Sequence, residues 1–123
     1  MKLHLSTAAG INLFTAYGEG YVAINHERHT ANLILLPDAL IPDWTTATPA
    51  TLTIADFDRL RQLDTGIILL GTGSRLRFPP AQLLKPFAEA RIGLEVMDLP
   101  AACRTYNILV SEGRKVAAAL LFG

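Results

Sequence analysis

Cysteine is nearly absent: Cys103 stands alone among 123 residues, so neither an internal disulfide nor a multi-cysteine zinc site can form. The chain also lacks an excess of charge, with 11 Lys and Arg against 11 Asp and Glu. That balance offers nothing to hold a phosphate backbone, which argues against a nucleic-acid partner. Long apolar runs are missing too. The most apolar stretches, Ala31–Pro37 and Val116–Phe122, fall far short of the ~20 residues that span a bilayer, so direct membrane insertion is not expected. Near the start, Ser6, Thr7 and Gly10 break the apolar residues, whereas a secretory leader needs about 7–15 in a row. The expected compartment is the cytoplasm. Charged residues are sparse at 18% and half the chain is hydrophobic, which excludes disorder, because such a chain buries enough surface to offset its backbone entropy. The length is that of one domain, residues 1–123. A mean hydropathy of +0.31 leaves room for an apolar contact surface besides the core.

The first half reads as short strands. Gly20–Asn25 alternates apolar with small or polar residues, as a half-buried strand does, and His26–Thr30 reads as the turn after it. Asn32–Leu36 is a second strand stopped by Pro37-Asp38, and Trp44 marks a third short segment. Thr53 and Asp56 have capping-box spacing ahead of a helix with Phe57, Leu60 and Leu63 on one face. In the second half, Gly66–Gly71 is continuously apolar, as a strand buried on both faces is. Pro79-Pro80 open a helix, with Pro80 at an early helical position and Leu83, Leu84, Phe87 and Ala88 as its apolar face. Ile92–Met97 is a strand. Asp98 caps a helix over Leu99–Glu112, Gly113 ends it, and Val116–Phe122 is a last buried strand. Strands alternating with helices argue an α/β layer, with the N-terminal strands as an added β unit.

Chemistry-bearing residues are few. Gly71-Thr72-Gly73-Ser74-Arg75 follows a buried strand, where ligands sit in open α/β sheets. Its glycines would let backbone N–H groups approach an anion, with Arg75 or Arg77 as partner, or would simply shape a turn. Neither the third glycine of a dinucleotide fingerprint nor the Gly-Lys of a phosphate loop is present. Cys103 lies in the first turns of a helix beside Arg104, a setting that activates a thiol, but no histidine is near in sequence and a buried free cysteine is the commoner case. Arg104 and Asn107 share a helix face, and across from Arg75 they and Glu95 would line a polar cleft, unless they form a solvated face. His26 and His29 flank Glu27 with the wrong spacing for a metalloprotease helix, so no metal site is expected. His4 is isolated. Tyr17, Tyr21 and Trp44 lack the interleaved basic residues of a base-stacking platform.

Asn12…Tyr17-Gly18…Gly20-Tyr21, Gly71-Thr72-Gly73, and above all Gly93–Asp98…Ala102…Thr105–Leu109…Glu112-Gly113-Arg114…Val116–Leu120 resemble a domain-of-unknown-function family. It is the family that includes the mitochondrial respiratory complex I assembly factor 3 and the adipogenesis-associated domain proteins. The resemblance covers nearly the whole chain, and Glu95-Val96-Met97 with Thr105-Tyr106-Asn107 is its most specific part. It implies a three-layer α/β domain. A central, mostly parallel mixed sheet would have one antiparallel strand, helices on its faces and a small N-terminal β unit beside it. It implies no enzymatic activity, no catalytic residues and no cofactor. It implies instead a binding surface around Gly71, Gly73, Arg75, Glu95, Met97, Thr105, Tyr106, Asn107 and Arg114, to which the helix-face reading adds Arg104. The expected function is protein binding or assembly, with subunits of a respiratory membrane complex as partners and the chain itself a monomer or weak homodimer. The alternative is a small-molecule or anion site between the Gly71–Arg75 loop and the Glu95–Asn107 segment.

Overall fold

The structure, a computed structural model, describes residues 10–123. The readings made at the chain start and at His4 lie outside the described residues. β1 (Phe14–Gly18), β2 (Tyr21–Ile24) and β3 (Glu27–His29) form an antiparallel sheet in sequence order. His26–Thr30 is therefore not a turn: the turn is Asn25-His26 alone, with φ of 48° and 72°. Two consecutive positive φ values make the tight hairpin connection whose twist suits flanking strands, and asparagine tolerates that conformation well.

The second sheet contains β4 (Leu33–Leu36), β5 (Ala39–Pro42), β6 (Ile67–Gly71), β7 (Gly93–Met97) and β8 (Ala117–Leu120), in the order β5-β4-β8-β6-β7. β6 pairs in parallel with β7 and β8; β4 pairs antiparallel with β8 and β5. The sheet is thus mixed in equal parts by pairing, while β4 alone runs against the other strands. β5 takes the place expected for a strand at Trp44. Trp44 lies in the bend after it, is 4% exposed, and donates its ring N–H to the Leu120 carbonyl at 3.2 Å.

Side chains alternate across this sheet, as strand geometry requires. Ile34, Ile68, Leu70, Ala117 and Ala119 join a core with Phe57 and Leu60 of α1 (Ile54–Arg61) and Phe87 of α2 (Ala81–Glu89). Leu33, Leu35, Leu69, Ala118 and Leu120 face the other way, toward Ala102, Cys103 and Tyr106 of α3 (Leu99–Ser111). That second core continues into Phe14, Val22 and Ile24, so the small sheet is stacked on α3 rather than set beside the larger sheet.

The helix ends follow local chemistry. Thr53 and Asp56 form the expected capping box. Asp98 caps α3 through the Ala101 N–H at 2.9 Å. Gly113, at φ 76°, ends α3 in a Schellman pair, Gly113 N–H to Val110 carbonyl and Arg114 N–H to Leu109 carbonyl. α2 ends identically through Arg91, at φ 58°, a conformation a side chain adopts with strain. Pro80 sits at the N-cap of α2 rather than inside it, and Ala88, expected on the apolar face, is exposed.

Candidate functional site

The Gly71-Thr72-Gly73 loop closes on itself. Gly71 is where β6 meets α3: a Cβ there would stand 2.8 Å from a Leu120 methyl and 3.1 Å from the Ala102 methyl. Gly73 has φ 84°, and a Cβ there would meet the Gly123 carbonyl at 2.8 Å. Both glycines are therefore needed for close packing. Thr72 is fully buried, and its hydroxyl donates to the Arg75 carbonyl at 2.7 Å and accepts from the Arg77 N–H at 3.1 Å. The N-terminus of α3 is also occupied. Leu99 N–H bonds the Gly73 carbonyl at 2.7 Å, Pro100 has no N–H, and Ala101 N–H is taken by Asp98. No ring of free donors is left for an anion at that helix end.

Tyr106 and Asn107 were expected on a binding surface, and the structure buries them at 0% and 1% exposure. Asn107 Oδ1 accepts the Phe14 N–H at 3.0 Å, and its Nδ2 donates to the Phe14 carbonyl at 2.7 Å. A side-chain amide has one acceptor and one donor group, so it mimics a strand partner and pins β1 to α3. The Tyr106 hydroxyl donates to the Asn12 carbonyl at 2.9 Å, and its ring meets Phe14 edge-on, centroids 5.1 Å apart. Burial, and the nearby Asp38 charge, push the Tyr106 hydroxyl above its ordinary pKa. Cys103 is likewise sealed: burial raises its thiol to about 12, outweighing Arg104. Cys103 is thus the buried free cysteine that the sequence favoured, and a thiol held protonated is a poor nucleophile.

The remaining predicted residues do not converge. Met97 and Thr105 are half-buried, and Met97 packs against the α3 core. Arg75 follows the C-terminal end of β6, whereas Arg114 precedes β8, whose start pairs with the start of β6; the two arginines lie at opposite ends of the sheet. Glu95 is exposed on the edge strand β7. Arg104 donates to the Tyr17 hydroxyl at 2.8 Å with its guanidinium 5.9 Å from the ring centroid. No group of His, Cys, Asp and Glu among the described residues could hold a metal ion.

The hydropathy left room for an apolar surface, but the residues that form it were not singled out. Phe78 is 70% exposed, Ile54 68% and Leu76 50%. Ile54 borders a groove of about 250 Å³ between α1 and α2, with Phe57, Leu83 and Pro86. Part of the signal was present: Leu76 and Phe78 stand in a loop ahead of Pro79-Pro80, whereas Ile54 shares the i,i+3 spacing of Phe57 and Leu60 and is left exposed at the first turn of α1. A polar cleft of about 690 Å³ runs past Trp44, Thr45, Asp56 and Arg59. Asp56 is spent there as a cap: its Oδ2 accepts from Thr53 and its Oδ1 from Arg59 at 3.0 Å. Burial alone would raise the Asp56 pKa, but hydrogen bonds from Thr45 and Thr53 and the Arg59 charge hold it below the ordinary carboxylate value.

Comparison with known proteins follows the same lines. A family model described as a protein of unknown function (DUF498/DUF598) matches residues 14–121. The crystal structure of a Bordetella parapertussis protein is 34% identical, with a TM-score of 0.85 over 95% of this chain and 100% of that one. The NMR structure of a Xanthomonas campestris protein is 35% identical, with a TM-score of 0.83 over 98% and 93%. The human NADH dehydrogenase (ubiquinone) 1 alpha subcomplex assembly factor 3 is 31% identical over 116 residues, 93% of this chain and 62% of that protein. The chain thus spans less than two thirds of that relative's length.

Proposed function

This chain belongs to the DUF498/DUF598 family of unknown function, and from that premise we propose that it is a non-enzymatic protein-binding module serving the assembly of a respiratory membrane complex. The observation that carries the reading is the likeness to a human assembly factor across 93% of the chain. Two features support it. The predicted polar residues assemble into no catalytic set among the described residues, and the exposed apolar side chains Ile54, Leu76 and Phe78 border α1 and the entry to α2. Exposed large apolar groups beside polar ones make a contact surface, since they gain most when water is excluded. In this reading the chain acts as one domain in the cytoplasm, docking on membrane-complex subunits without inserting. No helix among the described residues is long and apolar enough to cross a membrane. Arg75, beside Leu76 on the same loop, supplies a polar contact at the docking surface, and Gly71, Gly73, Tyr106 and Asn107 supply the framework.

The test is cross-linking of the tagged protein in its own cells, membranes included, followed by mass spectrometry. Wild type captures subunits of a membrane oxidoreductase, and an Ile54→Ser, Phe78→Ser double variant loses them. Capture of nothing, or equal capture by the variant, overturns the reading.

A further inference from the structure

We propose that the cleft between the β1–β2 turn and the Gly73-Ser74 loop is a binding site for a short zwitterionic peptide. The cleft encloses about 540 Å³, inside the range of small-ligand sites. It opens beyond the carboxyl ends of the parallel strands β6 and β8, where open α/β sheets bind ligands. Leu99, Pro100 and Phe122 give it apolar walls, and Ser74 contributes a hydroxyl.

Its charges select the ligand. Glu19, on the β1–β2 turn, and Arg77, after the glycine loop, both line the cleft. They form no ion pair with each other, and the described residues offer neither side chain a partner. The three ion pairs of the described residues all lie elsewhere. A plain anion would pair with Arg77 but face Glu19, with the α3 N–H groups already bonded. A plain cation would meet the converse mismatch at Arg77. A ligand carrying a carboxylate and an ammonium some distance apart satisfies both charges at once. A dipeptide has that form: each residue advances the chain by about 3.5 Å, and apolar side chains would lie on Leu99 and Phe122. Arg77 stands between Leu76 and Phe78, but the exposed side chains Ile54, Leu76 and Phe78 do not line the cleft, so peptide titration and the capture of partners fail separately.

The probe is the dipeptide Leu-Leu, titrated into the full chain while backbone amide shifts are followed. Shifts at Gly18, Gly20, Gly73 and Ser74 that saturate are expected. N-acetyl-Leu-Leu, without the ammonium, and Leu-Leu-amide, without the carboxylate, should each bind about tenfold more weakly, as loss of one charged hydrogen bond implies. Arg77→Met should erase the preference for a free carboxylate and Glu19→Gln the preference for a free amine, both with unchanged urea midpoints. Absence of shifts in the cleft overturns the site, and equal binding of Leu-Leu and its blocked forms overturns the zwitterion.

Discussion

On the α3 face of the larger sheet, polar side chains hold apolar elements in place. Asn107 clasps both backbone groups of Phe14, Tyr106 reaches Asn12, and Asn12 donates to the Leu36 carbonyl at 3.0 Å. The opposite face is held more by area: Phe57 and Phe87 meet edge-on at 5.9 Å over a largely aliphatic core, with the Trp44 ring N–H on the Leu120 carbonyl and the cap at Asp56 as its polar ties. The difference follows from what each face must carry. The three-stranded sheet packs Phe14, Val22 and Ile24 against α3 and is fastened there by hydrogen bonds that only one register satisfies. Helices α1 and α2 bring their own apolar stripes and dock by area. Two of the residues that most resemble a family signature, Tyr106 and Asn107, thus lie on the fastened face and act as fasteners, while Ile54 and Phe78 stay exposed on the side of α1 and α2.

The sharpest break of this contrast is Asn107→Ala. It strands a buried N–H and a buried carbonyl on Phe14, each a cost of about 1–3 kcal/mol, so a loss of about 3 kcal/mol is expected by urea unfolding. Amide hydrogen exchange should accelerate in β1 and β2 more than in β6. A variant as stable as wild type would show that the small sheet is held by area after all. Gly71→Ala comes next, at about 2 kcal/mol, because the new methyl overpacks Leu120 and Ala102. Thermal unfolding of that variant measures it. Tyr106→Phe keeps the ring against Phe14 and loses only the bond to Asn12; about 1 kcal/mol is expected.

On the other face, the lowered pKa of Asp56 means that its ionised form stabilises the fold above the unfolded value near 3.8 and loses that effect as pH falls through the lower folded value. The stability gap between wild type and Asp56→Asn should therefore be present at neutral pH and shrink below pH of about 4. Smallest of all, Ile54→Ser with Phe78→Ser should leave stability within about 0.5 kcal/mol, as changes at exposed sites do. A large loss there would mean that these side chains support the core rather than a partner.

Local chemistry made much of this fold legible. Thr53, Asp98 and Gly113 act within a few residues of themselves, and the structure uses each as its spacing implies. The unbroken apolar run at Ile68–Leu70 reads as a strand because it is covered on both faces. Short edge strands were less visible: Glu27–His29 is polar, and Ala39–Pro42 ends in proline. Both are strands through their neighbours' hydrogen bonds, which no local pattern carries. The candidate site was legible only as residue types. That Asn107 meets Phe14, across 93 positions, is a tertiary fact. Its spacing from Arg104 told only that the two share a helix, and Arg104 turns instead to Tyr17.

The order of strands in the larger sheet has a consequence for how this molecule comes into being. β8 sits between β4 and β6, although it follows every other strand of the sheet in sequence. During synthesis, β4–β5 and β6–β7 are therefore two separate ribbons, each with an unpaired inner edge, until Ala117–Leu120 arrives to join them. The late arrival is a run of small, smooth side chains, suited to sliding into a gap whose walls are already set. Completion of the larger sheet waits until β8 has been made, because its pairings with β4 and β6 are long-range. In that interval the open ribbons are the molecule's most adhesive state, the one a chaperone would need to guard.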